Sequence, residues 1–143
     1  MKVLVVHGPG LDLLGTREPS IYGEQTLEEL NNWIRAEADT LDIEVDILQT
    51  AREGEIVELL HAGLDGVDGA ILNPAAYSHT SRAIAEAIRA VPYPVIEVHL
   101  SNIHAREEWR RVSVTAEAAR AVIAGLGVGS YLAALRALKE IAS

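Results

Sequence analysis

The chain has 143 residues, with 12 Lys and Arg against 21 Asp and Glu, no cysteine, and 49% hydrophobic residues. Roughly two-thirds of the unfolded surface is buried at this size, enough for one core, so a single domain over 1–143 is expected. The missing cysteine excludes disulfides, a thiolate nucleophile and cysteine-held zinc or iron–sulfur centres, and a net charge of −9 argues against nucleic acid and anionic membranes as partners.

Val3 to Val6 is an unbroken aliphatic run stopped by His7-Gly8-Pro9-Gly10, the pattern of a parallel strand buried on both faces. It is too short for a signal peptide, and no apolar run reaches the ~20 residues of a membrane span, so a cytoplasmic setting is expected. From Gly8 to Gly23 no period is sustained, and so long an irregular stretch in a small domain is usually functional. Thr26 then opens a helix, with Glu29 completing a capping box and Leu27, Leu30 and Ile34 at helical spacing.

Ile43-Val45-Ile47 alternates as a second strand, and Gly54 to Leu64 is helical. Gly69 to Leu72 is a third strand, Ser81 to Val91 a helix, and Pro94 to Leu100 a fourth strand. A short fifth strand is expected around Val112 to Val114, followed by alanine-rich helices over 116–124 and 130–142. Strands alternating with helices predict a five-stranded parallel sheet in a three-layer α/β sandwich. Ligands in such folds sit beyond the carboxyl ends of the strands. That rule selects His7 to Tyr22, Gln49 to Glu53, Asn73 to Ser81, and Glu97 to Arg110, which together hold four of the five histidines.

Nucleotide motifs fail inside these segments. Leu13 stands where the dinucleotide pattern needs glycine, and Thr16 where a phosphate loop needs lysine. Gly125-Leu126-Gly127-Val128-Gly129 follows an expected helix and reads as its terminator. Glu97 and His99 share one face of their strand, where a carboxylate two residues from an imidazole orients it more simply than it shares a metal. Lys2 and Lys139 are the only lysines, which excludes a Schiff-base amine in the interior. Ten arginines supply the remaining cations, and Arg17, Arg106, Arg110 and Arg111 fall in the selected loops. Planar guanidinium forks suit a carboxylate ligand, although 106–111 also reads as a solvated face. Tyr22 lies five residues after Arg17, and positive charge beside a phenol favours phenolate; a packing tyrosine is the plainer alternative.

Three segments together resemble a known family. Gly8 to Gly23, with Gly-Pro-x-Leu-x-Leu-Leu-Gly-Thr-Arg-Glu-Pro-x-Ile-Tyr-Gly, is similar to the N-terminal signature of type II 3-dehydroquinate dehydratases. So are Asn73 to Ser81 and Ile96 to Glu108, and the likeness continues through Gly125 to Leu135. The resemblance implies a flavodoxin-like fold and a homo-oligomer, a dodecamer built as a tetramer of trimers. It implies dehydration of 3-dehydroquinate to 3-dehydroshikimate, in the shikimate pathway or quinate catabolism, by anti elimination through an enolate with no cofactor and no metal. By match to the motifs, Tyr22 is the base at C2 and Arg17 its activator, while His99 is the acid for the C1 hydroxyl and Glu97 holds its imidazole. Asn73, His79, Leu100, Ser101 and Arg110 match substrate-binding positions, and Glu86 a position that reaches a neighbouring subunit's site.

The chain also departs from that family. Its first motif reads His7-Gly8-Pro9-Gly10-Leu11 in place of Asn-Gly-Pro-Asn-Leu, so Gly10 lacks the side chain that holds an enolate-stabilising water. Arg52 and Val112 each replace a usual histidine. If only that water is lost, restoring asparagine at Gly10 raises kcat by up to ~10². A pocket rebuilt for another hydroxy-ketone acid, or a non-catalytic ligand-binding module, are the alternatives at this point. Retention of Tyr22, Arg17, Glu97 and His99 favours an enzyme, because a binder has no need of an acid–base pair.

Overall fold

Val3, Leu4, Val5 and Val6 are all buried, as a strand covered on both faces requires. In the computed structural model, which describes residues 1–142, they form β1 (Lys2–His7), an interior strand of a parallel sheet. The other strands are β2 (Glu44–Gln49), β3 (Gly69–Asn73), β4 (Val95–His99) and β5 (Ala121–Ala124), in the order β2-β1-β3-β4-β5. The helices are α1 (Pro19–Tyr22), α2 (Leu27–Thr40), α3 (Glu53–Ala62), α4 (Arg82–Ala90) and α5 (Gly129–Ala142).

Side chains alternate across the sheet and so feed two cores. Val3, Val5, Ile71, Ile96 and Val98 meet Leu30, Ile34 and Ala38 of α2 and Tyr131, Leu135 and Leu138 of α5. Leu4, Val6, Ala70 and Leu72 meet Ile56 and Leu60 of α3 and Ile84 and Ile88 of α4. This is the expected three-layer sandwich. The expected capping box opens α2: Thr26 Oγ1 accepts from Glu29 N–H at 3.1 Å, and Glu29 Oε1 accepts from Thr26 N–H at 3.3 Å. Such a cap contributes about 1 kcal/mol.

The segment 112–124 differs from expectation. The strand expected at Val112 to Val114 lies instead at Ala121–Ala124, and the alanine-rich stretch before it is turn rather than helix. Two forces override alanine's helix propensity. Buried Thr115 and half-buried Ser113 are held by the Glu97 carboxylate, anchoring the start of the segment. Arg120 N–H then donates to Val95 O at 2.8 Å, and Ala121 to Ala124 pair with Ile96 to His99. Ladder bonds and edge packing outweigh a few tenths of a kcal/mol per alanine. In consequence Gly125-Leu126-Gly127-Val128-Gly129 follows a strand, not a helix, and leads into α5.

The chain runs from β1 out to β2 and then crosses to β3 on the other side, so the sheet's switch point lies beyond His7 and Asn73, which pair in register. Gly8 N–H donates to Asn73 O at 2.8 Å, and a Cβ at Gly8 would fall 2.8 Å from that same oxygen. Only glycine permits this closure.

Candidate active site

The loops that follow β1, β3 and β4 at the carboxyl edge line one open cleft. The first loop is fixed by Leu14, buried in the core under α2, and by Arg17 N–H donating to Leu13 O at 3.0 Å. Glu18 turns the chain at φ 38, and Pro19 starts the single-turn α1 that ends at Tyr22. This folds Arg17 back onto the tyrosine five residues later. Its Nη2 donates to Tyr22 Oη at 3.4 Å, and its guanidinium carbon lies 4.8 Å from the ring centre.

Arg106 approaches the same ring, 5.0 Å from its centre, and donates from Nη1 to Ser101 Oγ at 3.2 Å. Two guanidiniums therefore flank one half-buried phenol. Arg106 stands in the sequence among four loop arginines, and only the fold singles it out.

Across the cleft, His99 Nε2 lies 2.8 Å from Glu97 Oε2, on the same face of β4 as the spacing predicts. The Glu97 carboxylate is fully buried and accepts from Ser113 Oγ at 2.7 Å and from the Thr115 hydroxyl as well. With three donors the carboxylate is satisfied, and its acceptance fixes the His99 proton on Nε2. Nδ1 takes no part in this network. Ser113 and Thr115 were not legible as site residues, because a polar pair after a long loop has no distinguishing spacing.

His79 lies 6.4 Å from His99, ring centre to ring centre, and packs edge-on against Trp109. Its Nδ1 donates to Val112 O at 2.8 Å. Desolvation, with His99 and Arg110 nearby, pushes its pKa below the usual histidine value; its Val112 bond and Glu97 oppose this. The neutral ring therefore keeps Nε2 as an acceptor. Arg110 completes that wall, stacked 4.1 Å over Trp109 and bound from Nε to its own loop neighbour Glu107 at 2.6 Å.

Arg17, Tyr22, Asn73, His79, His99, Leu100, Ser101 and Arg110 all line the cleft, and Glu97 lies directly behind His99. Glu86 does not line it. It sits exposed on α4, 3.5 Å from Arg89, in a separate groove with Arg82 and Glu117. Of the four loop histidines only His79 and His99 line the cleft; His104 is exposed and His7 is buried. Arg52 lies outside it too, paired with Glu55 at 2.5 Å. Among the described residues no group of three or more His, Asp or Glu is placed to hold a metal ion.

Gly10 has a φ of 84, and a Cβ there would fall 2.2 Å from Arg17 Nη1. The space of the missing side chain is thus filled by the guanidinium that faces Tyr22. Gly10→Asn is therefore expected to push Arg17 aside and lower kcat about tenfold, the reverse of simple restoration. Steady-state kinetics beside a thermal melt would check this, and a rise in kcat would contradict it.

His7 is fully buried beneath the cleft, bonded to Tyr131 Oη at 2.9 Å and Asn31 Oδ1 at 2.8 Å. Burial pushes its pKa from 6.5 down to about 4, opposed in part by the Asn31 bond. The folded chain thus resists a proton that the unfolded chain accepts. The stability tied to neutral His7 is complete above pH 6.5 and is lost as pH falls towards 4, by about 3 kcal/mol. His7→Asn is expected to flatten the fall of Tm over that range; equal slopes in both proteins would refute the assignment.

Fold and cleft together define a parallel α/β protein of flavodoxin-like topology with one cleft at the carboxyl edge of its sheet. Residues 1–139 match the family model described as Dehydroquinase class II. The chain belongs to that family. It is 54% identical over 138 residues to a 3-dehydroquinate dehydratase of Caldanaerobacter subterraneus subsp. tengcongensis, covering 96% of this chain and 93% of the relative. It is 48% identical to that of Clostridium acetobutylicum over 143 residues, covering 100% and 99%. The crystal structure of type II dehydroquinase from Butyrivibrio crossotus superposes with a TM-score of 0.95 at 41% identity, covering 96% of this chain and 97% of that one.

Proposed function

We propose that the chain dehydrates 3-dehydroquinate to 3-dehydroshikimate, with Tyr22 as base and His99 as acid. The observation that carries this is one cleft holding a phenol between two guanidiniums and, across from it, an imidazole backed by a buried carboxylate. Tyr22 as phenolate takes the C2 proton, which the adjacent ketone acidifies, and the electron pair moves onto the carbonyl oxygen as an enolate. The enolate reforms the ketone and expels the C1 hydroxyl, which receives a proton from His99 and leaves as water. Glu97 holds the imidazole and stabilises its positive charge before transfer. No electron leaves the substrate, so the step balances without a redox cofactor.

Asn73, His79, Ser101 and Arg110, with the backbone at Leu100, are assigned to the substrate's hydroxyls and carboxylate. Arginine's fork suits the carboxylate, and neutral His79 accepts from a hydroxyl. Formation of the conjugated enone, read by absorbance when purified protein meets 3-dehydroquinate, tests the reading; no enone at any substrate concentration refutes it.

The working form is proposed to be a dodecamer, a tetramer of trimers, in which Glu86 reaches the cleft of a neighbouring subunit. Val112, Val122 and Leu126 expose 64%, 41% and 62% of their surface, an apolar surplus that subunits would cover. Light scattering is expected to give twelve times the 15.4 kDa chain mass. A fully active monomer would contradict both the assembly and the role of Glu86.

A further inference from the structure

Four polar side chains from four elements form one chain beneath the cleft: Asn31 of α2, His7 at the end of β1, Tyr131 of α5, and Asn73 at the end of β3. The direction of every bond in it follows from a single backbone group. Ala75, at φ 53, turns its N–H back to Asn73 Oδ1 at 3.1 Å. The nitrogen of that amide is therefore what faces Tyr131, and it donates to the hydroxyl oxygen at 3.1 Å. The Tyr131 proton is then directed to its other neighbour, His7 Nδ1, at 2.9 Å. With Nδ1 accepting, the ring's proton is on Nε2 and is donated to Asn31 Oδ1 at 2.8 Å.

Reversing any one of these bonds leaves a buried donor or acceptor unpaired elsewhere in the chain, at a cost that keeps the arrangement whole. The Asn73 amide has a second hydrogen that the relay does not use, and Asn73 lines the cleft. We propose that His7 is a positioning residue: by accepting from Tyr131 it locks the Asn73 amide so that its free N–H is presented to a substrate oxygen. Without that acceptor, Tyr131 satisfies its proton by donating to Asn73. The amide then turns over, giving up its bond from Ala75 N–H, and presents oxygen where nitrogen is needed. This rests on the reading that Asn73 binds substrate.

Two substitutions divide the histidine's contacts. Asparagine places its amide oxygen where Nδ1 stands, keeping the acceptor for Tyr131 and losing the bond to Asn31. Glutamine places its amide nitrogen where Nε2 stands, keeping the bond to Asn31 and losing the acceptor. Each variant forfeits one buried hydrogen bond, so both are expected to melt below wild type by similar amounts.

The KM for 3-dehydroquinate separates them. His7→Gln is expected to raise it about tenfold with kcat within about twofold of wild type, because a contact common to ground and transition states is lost. His7→Asn is expected to leave KM within about twofold. A residue that merely filled the core would shift both variants alike, and equal KM values overturn the proposal. His7→Leu, which removes the acceptor and leaves the Tyr131 proton in place, should reproduce the tenfold rise and carries the test if His7→Gln does not fold; an unchanged KM there overturns the proposal too. Asn73→Ala separates the two levels. If it leaves KM unchanged, the assignment of Asn73 to substrate fails and the proposal falls with it. If it raises KM while His7→Gln and His7→Leu do not, the relay alone is wrong.

Discussion

Tyr22→Phe is expected to lower kcat for 3-dehydroquinate by about 10³, within the range for loss of a general base. The ring is retained, and with it the contacts to Arg17 and Arg106 at 4.8 and 5.0 Å and the packing against the core. The only hydrogen bond lost is the 3.4 Å contact with Arg17, so Tm should move by no more than a degree or two. KM should change little, because the phenol oxygen acts on a proton rather than anchoring the substrate. Arg17→Lys should also be severe, since a point charge on a flexible stem does not reproduce the placement of a planar fork. Retention of more than a tenth of wild-type kcat in Tyr22→Phe would rule the tyrosine out as base.

His99→Asn is expected to cost about 10² to 10⁴ in kcat through loss of the general acid. The fold should survive, since buried Glu97 keeps the hydroxyl donors of Ser113 and Thr115. The two variants differ in what remains. With Tyr22 in place, the His99 variant still removes the C2 proton, so 3-dehydroquinate incubated in heavy water should gain deuterium at C2 without losing water. Tyr22→Phe should show neither exchange nor elimination. Exchange in both variants, or in neither, would contradict this division of roles. Mass spectrometry of recovered substrate reads the difference directly.

Much of the cleft was legible because its residues sit in long motifs at strand ends. Arg17 and Tyr22 are five apart in one loop, and Glu97 and His99 share a strand face, so local geometry alone brings each pair together. Arg106, Ser113 and Thr115 were not singled out. Arg106 is one of four loop arginines, and its selection depends on α1 carrying Tyr22 to it across the cleft. Ser113 and Thr115 reach Glu97 from 16 and 18 residues away, by a turn that no periodicity announces. Gly10 was legible as a departure, but its consequence was not, because only the folded loop places Arg17 in the vacated space.

Local signals in the chain suffice for the parallel α/β sandwich, the carboxyl edge where the cleft lies, and the capped start of α2. They are unbroken aliphatic runs for buried strands, 3.6-residue spacing for the helices, and Thr26 with Glu29 at a helix start. Tertiary structure decided the fifth strand and the relay beneath the cleft. Alanine-rich residues 116–124 have helix propensity, yet the open edge of β4 offers Ala121 to Ala124 a hydrogen-bonded ladder, and Glu97 holds Ser113 and Thr115 where the segment begins. His7, Asn31, Asn73 and Tyr131 likewise carry no mutual signal in the chain. They meet because strand pairing sets His7 beside Asn73 while α2 and α5 pack over the same sheet face, and burial then obliges each polar group to find its partner in the others.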